Sequence, residues 1–364
     1  MSIPNSKRTS FPSLFKGIVT TTFAMMLLAL IGVPFRVQEG NTTSIEPSSI
    51  ITKTTKTASA ANNGSLKIAF GGNSILYFND CPGLVVAMMK STGYQVTYDA
   101  CLRGGASLAT LWTQGCSNEF STTATAATNT EIRMTMSKLL RSESWDYIVL
   151  NDQTRSPALA DKQRLAMYYL NKTYATLFYK TGATPIFLQT AAYREPLTVE
   201  GIGDFDEFTD ALTRGYQAYA DLLTNSFLQQ QQQQQAQTQT QTQTQTQQQQ
   251  TQTVTKHGPN HAQVAPVGQA YAHVRNAHPE LWERLYVEDG VHPSPLGTWL
   301  QACVLYATIL GKDPPAQQHD NLDLFWNDPV SGRRRTYLPL PSKEEAEELR
   351  RVAIQITGVA GTVP

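Results

Sequence analysis

The chain predicts an α/β domain built on a doubly wound parallel sheet of about five strands, and three observations lead there. Short β-rich runs alternate with stretches of helix length, the pattern of repeated β–α units. Hydrophobic residues reach 41%, enough for a sizeable core. Setting aside the first 63 residues and a Gln/Thr tract at 229–253, neither of which reads as folded sequence, the 364-residue chain keeps a length comfortable for one large α/β domain.

The strand signals fall at 66–70 (Leu-Lys-Ile-Ala-Phe, stopped by Gly71-Gly72), 93–98 (ending near Cys101), 145–150, 184–189 and, more weakly, 262–267. Helix-length stretches lie between them at 81–92, 130–142, 161–180 and 204–228. Parallel neighbours of this kind require right-handed crossovers. A helix over 294–310 places Leu296, Leu300, Val304 and Leu305 on one face. Ser342-Lys343-Glu344-Glu345 has the form of a capping box, opening a last helix through Leu349, Val352 and Ile356.

Lys+Arg and Asp+Glu are both 29, so the formal charge is zero and the whole-domain argument for nucleic-acid binding is absent. Charged residues are only 16% of the chain, and coiled-coil, collagen-like and multi-span membrane classes are excluded. Residues 1–16 are basic and polar, followed by an apolar run at 17–35. This reads as a signal peptide or an uncleaved single-span anchor over 1–35. An anchor would hold the N-terminus in the cytoplasm and the domain in the lumen, a type II arrangement. Either way the expected address is the secretory pathway, secreted or lumenal, and the sequons at Asn41, Asn63 and Asn171 fit that route. Residues 36–63 read as a disordered Thr/Ser-rich stalk.

Four cysteines allow three complete pairings. A bridge among Cys81, Cys101 and Cys116 is expected in an oxidising lumen, with Cys303 buried and free in an apolar helix. The tract 229–253 should be a disordered or loosely helical insertion. It continues the helix leading into the fifth strand, so it leaves the sheet at the end opposite the ligand-binding loops.

Four short segments follow strand ends or precede the C-terminal helices: Gly71-Gly72-Asn73-Ser74, Arg103-Gly104-Gly105-Ala106-Ser107, Asn151-Asp152-Gln153 and Asp289-Gly290-Val291-His292-Pro293. Each alone is a common turn. A serine needs a base to act as nucleophile, and His292 could take the Ser74 proton. Asp289, three residues earlier, could reach the other ring nitrogen and fix its tautomer.

Taken in order, these blocks resemble the SGNH hydrolases, also called GDSL-like esterases. The fit is closest to a subgroup reading Gly-Asn-Ser, Gly-Gly-Ala-Ser-Leu and Asp-Gly-x-His-Pro-Ser, here Gly72–Ser74, Gly104–Leu108 and Asp289–Ser294, then Gly297 and Trp299. Ala265-Pro266-Val267-Gly268 fits as well. The resemblance implies a flavodoxin-like three-layer α/β/α fold over 64–312, with 313–364 as an extension whose terminal helix packs on the domain. It implies Ser74, His292 and Asp289 as catalytic residues. The implied oxyanion donors are the N–H groups of Ser74 and Gly105 and the Asn151 amide, with Gln153 as the fallback for Asn151 and Gly104 exchangeable with Gly105. Gly104, Gln153, Tyr193 and Trp112 are candidates to line the substrate crevice, as is Arg194 beside Tyr193. Asp152 reads as a structural hydrogen-bonding neighbour, and Asn73, where the family usually has aspartate, has no catalytic role assigned.

The reading is a serine esterase using no metal or cofactor, on a small-molecule or glycan ester, O-acetyl glycans by analogy only. The alternatives are a polysaccharide O-acetyltransferase using the same residues, and a non-catalytic glycan-binding or adhesive surface protein. The oligomeric state is not written in the sequence. His257 and His261 have zinc-helix spacing, but Gly258-Pro259 break the helix. Gly71-Gly72 lacks both the P-loop lysine and the dinucleotide spacing, His273 and His278 read as surface, and Arg333-Arg334-Arg335 as a solvated turn.

Overall fold

In the computed structural model of the protein, β1 (Ser65–Gly72), β2 (Gln95–Leu102), β3 (Tyr147–Leu150), β4 (Thr184–Leu188) and β5 (Gln263–Ala265) form one sheet. Their order is β2-β1-β3-β4-β5, and every neighbouring pair is parallel. The structure describes residues 63–117, 134–195, 201–244 (backbone alone from 238), 261–316, 325–327 and 333–359. The apolar run at 17–35, the stalk up to 62, the sequon at Asn41, residues 130–133, the tract beyond Thr244 and His257 lie outside them.

Successive strand residues face opposite sides of a sheet, and Ile68, Ala69 and Phe70 are all fully buried. Both faces of β1 are therefore covered. One group of helices comprises α2 (Cys81–Ser91), α8 (Val267–Ala277), α10 (Pro295–Leu310) and α11 (Lys343–Thr357), which pack on one another. The other comprises α3 (Leu108–Thr113), α4 (Met136–Ser142), α5 (Ala160–Tyr169), α6 (Ala175–Thr181) and α7 (Phe205–Thr244). Short α1 (Ser74–Tyr77) and α9 (Pro279–Glu283) complete the set. No described helix is long and apolar enough to cross a membrane.

The order of strands reverses direction at β1, whose neighbours are β2 on one side and β3 on the other. The crevice at the carboxyl ends of β1 and β3 is thus the switch point where open α/β sheets bind ligands. Ser74 follows β1 and Asn151 follows β3.

Several elements differ from expectation. Gly71 and Gly72 do not stop β1 but lie within it, paired with Cys101 and Leu102. They are glycines because of close packing: a Cβ on Gly71 would stand 2.7 Å from Met136 Sδ, and one on Gly72 would stand 1.8 Å from Asn151 Oδ1. The helix expected at 161–180 runs from α5 to α6 through a π-type turn at Leu170–Tyr174. The α10 helix is buried almost all round rather than on one face, because α2 and α11 both pack on it. Its Trp299 Nε1 donates to Ala346 O at 2.9 Å.

The α7 helix continues past its last buried anchor, Phe227, through the glutamine run to Thr244, so the described part of the tract takes the helical of its two expected forms. Glutamine is a good helix former, and a Tyr179 Oη–H bond to Gln234 Oε1 of 2.8 Å ties the run to α6. The capping box at Ser342 is formed in full. The cysteine expectation is corrected: all four cysteines are buried free thiols. Cys101 and Cys116 do lie together, both thiols turned to Met134 O, Cys116 Sγ at 2.9 Å and Cys101 Sγ at 4.0 Å.

Candidate active site

The nucleophile side is built from buried amides. Asn73 caps α1, its Oδ1 accepting from Ile75 N at 3.1 Å. Its Nδ2 donates to Ala106 O at 2.9 Å and to Asp152 O at 3.0 Å. Its backbone N–H donates to Asn151 Oδ1 at 3.1 Å, while Asn151 Nδ2 donates back to Asn73 Oδ1 at 2.8 Å. Asn73 is 2% exposed and Asn151 fully buried, so every bond lost here leaves a group water cannot reach. The chain ends of β1 and β3 and the glycine turn are thereby fastened to the residue before Ser74. Asn73 carries far more structure than the sequence reading gave it.

The same bonds revise the oxyanion assignment. Both hydrogens of Asn151 Nδ2 are used, the second on Asp152 O at 3.2 Å, and the side chain has no surface for a substrate oxygen to approach. Asn151 is a clamp in this arrangement. Gln153 is the amide at the crevice: its Oε1 accepts from Arg155 N at 3.2 Å and Ser156 Oγ at 3.4 Å. Its Nε2 has no acceptor among the described residues. Gly105 sits in the left-handed region, φ +63°, with open space around it, so its turn is one glycine adopts without strain.

Asp152 ties this loop from behind. Fully buried, its carboxylate accepts from Leu108 N at 2.9 Å, Gln153 N at 2.8 Å and Tyr219 Oη at 3.0 Å. Burial pushes its carboxyl up to about 6, against the opposing pull of those bonds. Its sequence reading as a hydrogen-bonding neighbour matches this placement.

The histidine side is built locally and lies open. Tyr286 and Pro293 bridge antiparallel, and Val287 N donates to His292 O at 2.9 Å, making a small loop with Gly290 at φ +66°. Asp289 Oδ1 accepts from the N–H groups of Val291 and His292 at 2.8 and 2.9 Å. Its Oδ2 lies 2.6 Å from His292 Nδ1, and His292 Nε2 lies 2.8 Å from Ser74 Oγ. With the ring proton on Nδ1, Ser74 donates to Nε2. Burial works to raise the Asp289 carboxyl, but the bonds from His292 and Val291 outweigh it and hold it below the usual range.

Phe78 and Asn79, which carried no sequence signal as site residues, and Arg194, a candidate for the crevice lining, hold the imidazole and its loop. Phe78 stacks on it, centroids 4.2 Å apart and planes 13° apart. Asn79 Nδ2 donates to Pro293 O at 3.0 Å and Thr298 Oγ1 at 2.9 Å, which binds the loop to the turn after α1. Asn79 and Asp80 both have positive φ; Asn-Asp just before Cys-Pro was a legible turn signal, though not of this contact. Arg194 donates its N–H to Gly290 O at 2.8 Å and its Nη2 to Glu288 O at 3.2 Å.

Beside Gly105 and Gln153 opens a pocket of about 360 Å³ between α3 and α5. Gly104 and Trp112 are not in its wall. Gly104 stands at the glycine turn near the Tyr77 hydroxyl, Trp112 packs on Tyr174 at 4.9 Å, and Tyr193 packs edge-on against Phe208 at 5.4 Å. Among the described residues, no group of three His, Cys, Asp or Glu could hold a metal ion.

Comparison with solved structures finds a DUF4886 family protein from Bacteroides uniformis, with a TM-score of 0.50 and 15% identity, covering 82% of this chain and 97% of that one. The likeness is one of fold. A putative SGNH hydrolase from Slackia heliotrinireducens has a TM-score of 0.42 and 21% identity, over 67% of this chain and 99% of that one. A gut microbial diltiazem-metabolizing enzyme has a TM-score of 0.35 and 12% identity, over 67% of this chain and 47% of that one. At these scores neither carries an argument about activity. No family model and no curated protein matches the chain.

Proposed function

We propose that the protein is a serine esterase of the SGNH type that hydrolyses carboxylic esters through an acyl-serine intermediate. The observation that carries the reading is the continuous chain Ser74 Oγ–His292 Nε2 at 2.8 Å and His292 Nδ1–Asp289 Oδ2 at 2.6 Å. These three residues come from positions up to 218 apart in sequence and meet at the sheet's switch point.

Ser74 Oγ attacks the ester carbonyl carbon while His292 Nε2 takes its proton. The oxyanion that forms is stabilised by the N–H groups of Ser74 and Gly105 and by Gln153 Nε2, each donor worth about two orders of magnitude or more in rate. Collapse breaks the bond to the alcohol oxygen, which leaves with the proton from His292. Water then attacks the acyl-serine, giving its proton to His292 and on to Ser74 Oγ, and the acid departs. Asp289 holds the imidazole in the Nδ1–H form and stabilises imidazolium.

The test is turnover of nitrophenyl acetate and longer-chain nitrophenyl esters by the full chain, beside Ser74→Ala. Turnover that falls by about three orders of magnitude or more in the variant is expected. A folded protein with no turnover, or turnover that Ser74→Ala leaves intact, sinks the proposal.

A further inference from the structure

Resting on that esterase reading, we infer that Arg335, from the C-terminal extension, is a positioning residue for the catalytic imidazole. It acts through an ion pair with Asp80 that fixes the turn carrying Phe78 and Asn79. Those two residues hold His292 and its loop. Phe78 stacks on the ring at 4.2 Å, and Asn79 Nδ2 donates to Pro293 O and Thr298 Oγ1.

The turn does not hold itself. Asn79 and Asp80 stand side by side in the left-handed region, at φ +51° and +52°, where residues other than glycine are uncommon. Such backbone persists only where its surroundings over-determine it. Asp80 contributes by capping α2, its Oδ1 accepting from Gly83 N at 3.1 Å. Its other oxygen, Oδ2, pairs with Arg335 Nη1 across 255 residues of sequence.

Arg335 stands on a fixed base. Its Nε donates to Phe325 O at 2.9 Å and its backbone N–H to Trp326 O at 2.8 Å. Phe325 packs against Trp299 of α10, centroids 6.0 Å apart, and Trp326 is fully buried. The guanidinium also lies against Gly83, where a Cβ would collide with Nη1. The run Arg333-Arg334-Arg335 reads from sequence as a solvated turn, yet Asp80 and Phe325 O draw the third arginine inward. Its side chain is 4% exposed. Burial pulls the guanidinium down to about 10, which leaves it charged at neutral pH.

A buried ion pair adds little net stability, because desolvation offsets the attraction, and its best-attested use is to specify one arrangement. Here the arrangement is that of the turn backing the imidazole. A misplacement of about 1 Å at a catalytic group can cost about a hundred-fold in rate.

The experiment replaces Arg335 in the full chain and reads both turnover and the ring contact. Arg335→Gln is expected to lower kcat on nitrophenyl acetate by about ten- to a hundred-fold. KM should stay within about two-fold, since no substrate contact is removed. Asp80→Asn keeps an oxygen to cap α2 and should give a similar loss. Arg335→Lys keeps the charge opposite Asp80 but not the bond to Phe325 O, and should restore part of the rate. Arg334→Gln, on the exposed neighbour, should change nothing.

Proton NMR of the imidazole C–H signals, with His292 assigned through His292→Gln, reads position without chemistry. The Phe78 ring current should hold the His292 signal upfield, and Arg335→Gln should return it toward the ordinary histidine position. Should Arg335→Gln fail to fold, Asp80→Asn carries the same two readouts. Turnover and signal both unmoved overturn the inference and leave the esterase standing, as does turnover lost with the signal in place. A signal that moves in a protein with no turnover upholds the positioning and removes the esterase reading. No turnover and no upfield signal in the native protein discards the two together.

Discussion

The two arms of the site are built by opposite means. Ser74 rises from buried amides, Asn73 and Asn151, whose bonds cross 33 to 79 residues of sequence. His292 and Asp289 meet through bonds that span three residues, with side chains 25% and 47% exposed, while Asn79 and Arg194 tie only the loop backbone to the rest of the site. A nucleophile fixed by buried long-range bonds shares its fate with the fold. A base fixed by short exposed bonds is positioned without supporting the core. Substitutions on the first arm should therefore cost stability as well as rate, and those on the second, rate alone.

The largest effect expected is on the second arm. Asp289→Asn keeps the oxygen that accepts from Val291 and His292 N–H but sets an amide against His292 Nδ1 and favours the wrong tautomer. Steady-state kinetics should show kcat down by about three to four orders of magnitude, while the urea midpoint moves by no more than a surface substitution does. A matching loss of stability would erase the contrast. On the first arm, Asn151→Ala strips partners from Asn73 N and Oδ1 and should cost about 2–4 kcal/mol in denaturant unfolding, with activity lost alongside. If stability held while activity fell, Asn151 would be an oxyanion donor after all and not a clamp.

Gln153→Ala separates the two roles further. Its amide faces the crevice, so kcat should drop about a hundred-fold with unfolding unchanged. An effect on KM alone would return Gln153 to substrate lining. The smallest effect belongs to Asp152. A buried carboxyl raised to about 6 stabilises the fold while protonated, and that contribution is lost as pH rises through 6. Asp152→Asn cannot ionise, and it keeps an oxygen for Leu108 N and Gln153 N. Its stability relative to the native protein should climb between pH 4 and pH 7, by on the order of 2 kcal/mol. A difference flat across that range would mean the carboxylate ionises without penalty.

The parallel sheet was legible because strand runs and helix stretches alternate, a periodicity local to each segment. The residues of the exposed arm were legible for the same reason: Asp289 and His292 stand three apart and their contact is local. The buried arm was not. Ser74 could be placed after a strand, but the exchange between Asn73 and Asn151 depends on β1 and β3 being neighbours, which no local pattern encodes. Gly71 and Gly72 looked like a strand stop, yet they are small because Met136 and Asn151 lie against them. The reach of α7 stayed open between disorder and loose helix because a glutamine run carries no apolar face, while helix propensity extends it. Phe78 and Asn79 touch the histidine loop across more than two hundred residues, and their own segment announces only a turn.

The most direct measurement is covalent capture. The protein would be treated with a fluorophosphonate ester, which phosphonylates activated serines with loss of fluoride, and the adduct located by intact mass and peptide mapping. One equivalent on Ser74 is the predicted result, absent from Ser74→Ala and formed much more slowly by Asp289→Asn. Folded native protein that takes no label at Ser74, or takes it on another serine, would contradict the account.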